Sequence, residues 1–174
     1  MGKARGFDAV NTDLIAGLEG DTYESFCRTV DNMVELAPEN ITIHTLTVKR
    51  AADLAGREDR SGLADRDTAA KMVSYGYEKL KKSGYEPYYM YRQKYMRGNL
   101  ENVGYALPGK ECVYNIDMME DTTSIMAHGA GAMTKCIYDA ERRVERVPNP
   151  KDIATYIAKI DRLAEEKRRL YEIR

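Results

Sequence analysis

Asp13 is the residue of this chain whose setting most demands a chemical explanation. It interrupts the apolar run Val10-Asn11-Thr12-Asp13-Leu14-Ile15-Ala16, which reads as a strand, just ahead of the turn Gly17-Leu18-Glu19-Gly20. In α/β sheets, ligands meet the chain where strands end and the following loops begin. A carboxylate there can accept hydrogen bonds from a ribose diol; its bland reading is a turn cap or a partner inside a barrel wall. His44 falls within Ile41-Thr42-Ile43-His44-Thr45-Leu46-Thr47-Val48, with Thr42 and Leu46 on its own face. A lone strand histidine of that kind reads more readily as a packed, hydrogen-bonded wall residue than as a base. His128 precedes the turn Gly129-Ala130-Gly131. No cysteine or carboxylate stands beside it in sequence, so it makes a poor metal motif. The turn would let backbone approach a ligand closely, yet it lacks the third glycine and helix of a dinucleotide fingerprint. Arg92, Lys94 and Arg97 leave a tyrosine-rich stretch. They could clamp carboxylates, stack with the tyrosines on single-stranded nucleic acid, or form plain surface.

These residues need elements to hold them. Val10 to Ile15 predicts a strand. Asp21 predicts the N-cap of a helix, with Glu24 completing a capping box and Phe26, Val30, Met33, Val34 and Ala37 at helical spacing before Pro38. Ile41 to Val48 is β-branched and alternating, a second strand. After a polar loop from about Asp53 to Asp65, helix signals resume at Asp67 and Thr68, with Met72, Val73, Tyr77 and Leu80 on one face and Gly84 as the stop. Tyr85 to Arg92 reads as a third strand. Strand, helix, strand, helix, strand at these spacings predicts crossovers and a parallel sheet. Gly98 to Gly104 reads as a loop; Cys112–Ile116 and Ser124–Ala127 read as short strands. Pro150 suits the first position of a final helix with Ile153, Ile157, Ile160, Ala164 and Leu170 as its apolar stripe.

Composition narrows the class. The 174 residues suffice for a single core, and 27 basic against 28 acidic residues leave a net charge of −1. Such balance argues against bulk electrostatic binding of nucleic acid. No apolar run approaches the roughly 18 residues of a membrane span, and the opening residues show no signal-peptide pattern. Cys27, Cys112 and Cys136 are odd in number and widely spaced, which disfavours a disulfide framework and suits a reducing, cytoplasmic setting. None has the close neighbour that a zinc knuckle or a cluster loop needs.

Taken in order, several segments resemble the later part of the oxygen-independent coproporphyrinogen III oxidase family of radical SAM enzymes, in its HemZ-type branch. They are Asp13-Leu14-Ile15-Ala16-Gly17-Leu18 with Asp21-Thr22 and Phe26, then Ile41 to Arg50, then Tyr88-Tyr89-Met90-Tyr91-Arg92-Gln93-Lys94 with Gly98 to Ala106, and the turn His128 to Ala132. The resemblance implies an α/β fold, the C-terminal part of a partial (β/α) barrel with a small α+β extension. Residues 1–95 would hold the last barrel units and a following strand, and residues 96–174 an extension ending in an amphipathic helix. It implies oxidative decarboxylation of propionates to vinyls on a tetrapyrrole substrate in haem biosynthesis, using S-adenosylmethionine and a [4Fe–4S] cluster. The family holds that cluster on an N-terminal Cys-x3-Cys-x2-Cys motif, which the three cysteines here do not form. The resemblance therefore implies a portion that lacks its N-terminal barrel partner, inactive alone, with no cluster of its own.

Carried over residue by residue, Asp13 matches an acid near the S-adenosylmethionine ribose. Thr47 and Met133 match backbone contacts to the cofactor. Arg92 and Lys94 are the candidates for substrate carboxylates. Neither nucleic acid nor membrane is implied as a partner, and a cut barrel would leave the strand at Val10 as an exposed edge open to self-association. Relatives that handle haem on the same scaffold make haem binding the alternative, and a non-catalytic interaction module a third.

Overall fold

The computed structural model describes residues 6–46, 64–91, 101–138 and 143–172. They divide into two compact units, Met1–Ile116 and Asp117–Arg174.

In the first unit β1 (Asn11–Ala16) leads through α1 (Tyr23–Leu36) to β2 (Asn40–Thr45), paired in parallel with Asp13 beside Thr42 and Ile15 beside His44. Then come α2 (Arg66–Lys82), β3 (Glu86–Tyr91) and β4 (Asn102–Ala106). The sheet order is β1-β2-β4-β3, and β4 runs antiparallel to both of its neighbours. The sheet is thus mixed, not the parallel one expected, because a stretch read as loop is its third strand. Val103 and Tyr105 of β4 join the helix-side cluster, whereas Gly104 hides the alternation. That glycine has a steric reason: a Cβ there would lie 1.8 Å from Cε1 of Tyr89, whose ring covers it. β4 also lies beyond residue 95, where the barrel portion was expected to close.

Strand alternation sends Leu14, Ala16, Ile41 and Ile43 to one face, where they bury against Phe26 and Val30 of α1 and Met72 and Leu80 of α2. Each of these side chains larger than Ala16 contributes roughly 1.5–3 kcal/mol by leaving water. α2 comes close enough to β2 that a Cβ on Gly76 would meet Ile43 Cδ1 at 2.3 Å. The helices are also tied by polar groups: Tyr75 Oη donates to Asp31 Oδ1 at 2.7 Å, and Lys79 Nζ lies 2.8 Å from the same carboxylate. Hydrogen bonding to the Asp31 anion pushes the Tyr75 phenol up to about 12, while Lys79 and Tyr75 hold Asp31 below the usual carboxylate range.

The caps shift the expected boundaries by a residue or two. Thr22, not Asp21, caps α1: its backbone is extended and its hydroxyl accepts the Ser25 N–H at 3.1 Å. The Asp21 N–H instead closes a turn on the Leu18 carbonyl, and Glu24 then falls one position short of a capping box. Asp65 caps α2, accepting the Thr68 N–H at 2.8 Å, so that helix begins before Asp67. At its end Gly84, at φ +86°, lets the Tyr85 N–H return to the Leu80 carbonyl. Tyr85 itself is buried, with its hydroxyl on the Pro38 carbonyl at 2.7 Å.

In the second unit β5 (Met133–Tyr138) and β6 (Arg143–Pro148) form an antiparallel pair, followed by α4 (Ile153–Ala158) and α5 (Ile160–Glu172). A short helix α3 (Val113–Glu120) spans the division between the units. It replaces the strand expected at Cys112–Ile116, because the Cys112 carbonyl accepts from Asn115 and Ile116 and starts a helical turn. The strand expected at Ser124–Ala127 is reduced to one bridge between Ile125 and Lys135. Pro150 is not at a first helical position. Asp152 caps α4, and the Pro150 carbonyl instead receives the Gly131 N–H at 2.8 Å. The single final helix is two, parted at Lys159. Of its expected stripe, Ile153, Ile157 and Ile160 are exposed and Leu170 is buried; Leu163 and Lys167 are buried besides.

Candidate functional site

The face of the sheet away from the helices is the polar one. On β1 the alternation places Asn11, Asp13 and Ile15 there; on β2 it places Thr42 and His44. Across β4, Tyr89 and Tyr91 of β3 lie over this face with their rings stacked at 6.2 Å and an interplanar angle of 4°. Tyr89 Oη is 3.2 Å from Thr42 Oγ1, and Tyr91 Oη is 3.1 Å from His44 Nδ1. His44 Nε2 in turn lies 3.6 Å from Asp13 Oδ1, an ion pair when the imidazole is protonated. Asn11 Nδ2 donates to the same oxygen at 3.0 Å. With Tyr91 donating to Nδ1, a neutral imidazole carries its proton on Nε2, the nitrogen turned to Asp13. The three residues thus make one chain of polar contacts from phenol to carboxylate.

Asp13, His44 and Tyr91 line a cavity of about 390 Å³ with Ile15, Thr45, Leu46 and Asn102. Asn102 is buried, and its Oδ1 accepts the Thr45 N–H at 2.8 Å, which fixes the strand ends that form the wall. Burial holds the neighbouring Tyr88 and Tyr89 phenols above their ordinary range. Asp13 Oδ1 is engaged on two sides, while Oδ2 has no partner among the described residues and the side chain is 58% exposed. An open carboxylate oxygen beside a cavity with apolar and polar walls suits a ligand that offers hydroxyl donors.

Of the residues singled out from sequence, Asp13 stands mid-strand rather than at a strand end, on this face. His44 is the hydrogen-bonded wall residue expected, with a link to Asp13 that sequence did not reveal. Thr47, Arg92 and Lys94 lie outside the described residues; Thr47 directly follows Leu46 and Arg92 directly follows Tyr91 in sequence, and both Leu46 and Tyr91 line the cavity. Met133 opens β5 in the second unit and is half exposed. His128 lines a cavity within that unit. Tyr91 and Asn102 were missed. The alternation of Tyr89 and Tyr91 was the available signal for the first, and a buried asparagine leaves none.

Cys27 lies in α1, Cys112 just before α3 and Cys136 in β5, all as free thiols. Among the described residues no three metal-ligating side chains converge. No helix among them is long and apolar enough to cross a membrane.

The fold, an α/β unit with a small α+β extension, matches part of a solved structure. It superposes on the solved structure of coproporphyrinogen III oxidase HemN from Escherichia coli, a radical SAM enzyme, with a TM-score of 0.63 and 20% identity, covering 92% of this chain and 36% of that one. In sequence it is 37% identical, over 96% of its length, to the oxygen-independent coproporphyrinogen-III oxidase-like protein HemZ of Bacillus subtilis, of which it covers 33%. It is 26% identical to the heme chaperone HemW of Haemophilus influenzae, over 87% of this chain and 36% of that protein. The chain therefore resembles the C-terminal portion of a HemZ-type protein and spans about a third of the length of these relatives. No family model matches it.

Proposed function

We propose that this chain supplies the cofactor-completing and substrate-covering part of a radical SAM protein that acts on a tetrapyrrole, a coproporphyrinogen dehydrogenase of the HemZ type. The observation that carries the reading is Asp13, an exposed carboxylate with an open oxygen on the sheet face of a radical SAM-like fold. It fits the ribose hydroxyls of S-adenosylmethionine, with Thr47 and Met133 offering backbone contacts. When bound, that cofactor supplies the radical chemistry, and the chain supplies binding and orientation. Arg92 and Lys94 follow the tyrosine-lined wall in sequence and would pair with substrate propionates by charge-assisted hydrogen bonds. The chain alone is proposed to be inactive. Among the described residues β1 is an edge of its sheet, so self-association through the edge from Val10 to Ile15 belongs to the same reading.

The test uses a full-length protein that contains this sequence. Incubated without oxygen with reductant, S-adenosylmethionine and coproporphyrinogen III, it should convert propionates to vinyls. The similarity to HemW favours one other reading, a haem-binding protein. Stoichiometric haem retention without any turnover would decide for that reading and against the first.

A further inference from the structure

The second unit buries two lysines and satisfies them unequally. Lys135 of β5 is 4% exposed, and its Nζ meets Asp121 Oδ1 at 2.8 Å and the Asp117 carbonyl at 3.0 Å. Lys167 of α5 is 6% exposed, yet among the described residues its Nζ meets only the Ala127 carbonyl, at 2.6 Å. An ammonium carries three donors, and a buried cation without a counter-ion is costly. Beside Lys167 lies a cavity of about 480 Å³, within the size range of small-molecule sites. Its wall is largely apolar, from Met126, Ile160, Leu163 and Ala164, with Tyr156 and His128 adding polar edges. Two further charged residues line it. Arg168 is occupied by Glu165 at 3.2 Å, and Glu172 is exposed. Buried positive charge at an apolar cavity is the complement of one kind of molecule.

We propose that this cavity binds a small amphiphilic carboxylate, its apolar body among Met126, Ile160, Leu163 and Ala164 and its carboxylate on Lys167 Nζ. The ligand supplies the counter-ion that Asp121 supplies to Lys135. This site is separate from the Asp13 face and stands or falls without it.

The whole chain is titrated with dodecanoate and with dodecylamine, equal tails with opposite heads, each below its micellar concentration. Binding is read from the imidazole NMR signals of His128; the chain has 2 histidines, and His128→Asn assigns them. Dodecanoate should bind saturably and about tenfold tighter than dodecylamine, the scale of a charge-assisted hydrogen bond. Lys167→Met should erase the preference for the carboxylate while the apolar tail still binds. Ala164→Trp, from an exposed helix position, should fill the cavity and weaken both ligands at unchanged helicity. Should Lys167→Met fail to fold, the head-group preference of the parent chain and its loss in Ala164→Trp decide alone. Equal affinity for the two heads, no saturable binding, or binding indifferent to Ala164→Trp overturns the proposal.

Discussion

The first unit is held by burial and the second by polar ties. In the first, ten buried apolar residues from three strands, two helices and the Tyr85 turn form one cluster. In the second the corresponding cluster has four members, Cys136, Tyr138, Val147 and Leu170. Its remaining order comes from hydrogen bonds across long sequence separations. Tyr138 Oη donates to the Leu170 carbonyl at 2.9 Å, Lys167 Nζ to the Ala127 carbonyl at 2.6 Å, and Asn149 Nδ2 to the Gly129 carbonyl at 2.7 Å. Apolar burial is nondirectional and tolerates adjustment, whereas each polar tie requires a particular partner and leaves an unsatisfied group when broken. The two units should therefore fail differently.

Phe26→Ala gives the largest expected effect. Phe26 is 2% exposed at the centre of the first cluster, and its loss should cost about 3–5 kcal/mol in denaturant unfolding. A cost below about 1 kcal/mol would mean that this unit does not depend on burial as described. Asp121→Ala tests the other side of the comparison, since it strands the buried Lys135 ammonium. Breaking a fully buried pair costs about 3–5 kcal/mol. Asp121 is 42% exposed, so solvent screens the pair and roughly 2 kcal/mol is expected. The same pair sets a pH dependence. The hydrogen bond from Lys135 holds Asp121 below the usual carboxylate range. Its contribution is present above the unfolded carboxylate pKa and is lost as pH falls through the depressed folded value. Acid should thus loosen the β5–β6 pair, read by amide exchange, and Asp121→Asn should flatten that response. No difference between the variants in acid would remove the ion pair from the account.

Asp13→Ala sharpens the comparison within the first unit, because it changes the polar face and leaves the core alone. Stability should move by less than about 0.5 kcal/mol. Binding of S-adenosylmethionine to the full-length protein should weaken by about 1.5–3 kcal/mol, tenfold or more by calorimetry. Unchanged affinity would return Asp13 to a structural role. The smallest effect belongs to Tyr91→Phe, which removes the hydrogen bond on His44 Nδ1. It should cost about 0.5–1.5 kcal/mol of stability and shift the His44 imidazole signals without touching those of His128. A silent His44 spectrum would break the phenol–imidazole–carboxylate chain.

What the sequence determined by itself was local and periodic. Phe26, Val30, Met72 and Leu80 sit at helical spacing, and Leu14 and Ala16, Ile41 and Ile43 at strand spacing, so the helix-side core could be read directly. Asp13 was legible as a carboxylate out of place in an apolar run, and Gly84 as a stop. Tertiary structure alone decided that β4 enters between β2 and β3. Its Gly104 has no alternation to show, and its place is set by the ring of Tyr89, a contact made only after the chain has folded back. Tertiary structure also decided that His44 bridges Tyr91 and Asp13, since those partners are 47 and 31 positions away from it in sequence, from 91 − 44 and 44 − 13. The second unit followed the same rule more severely. With few buried apolar residues there was little period to read, and Lys135 and Lys167, which look like surface lysines in the sequence, are buried by what the fold wraps around them.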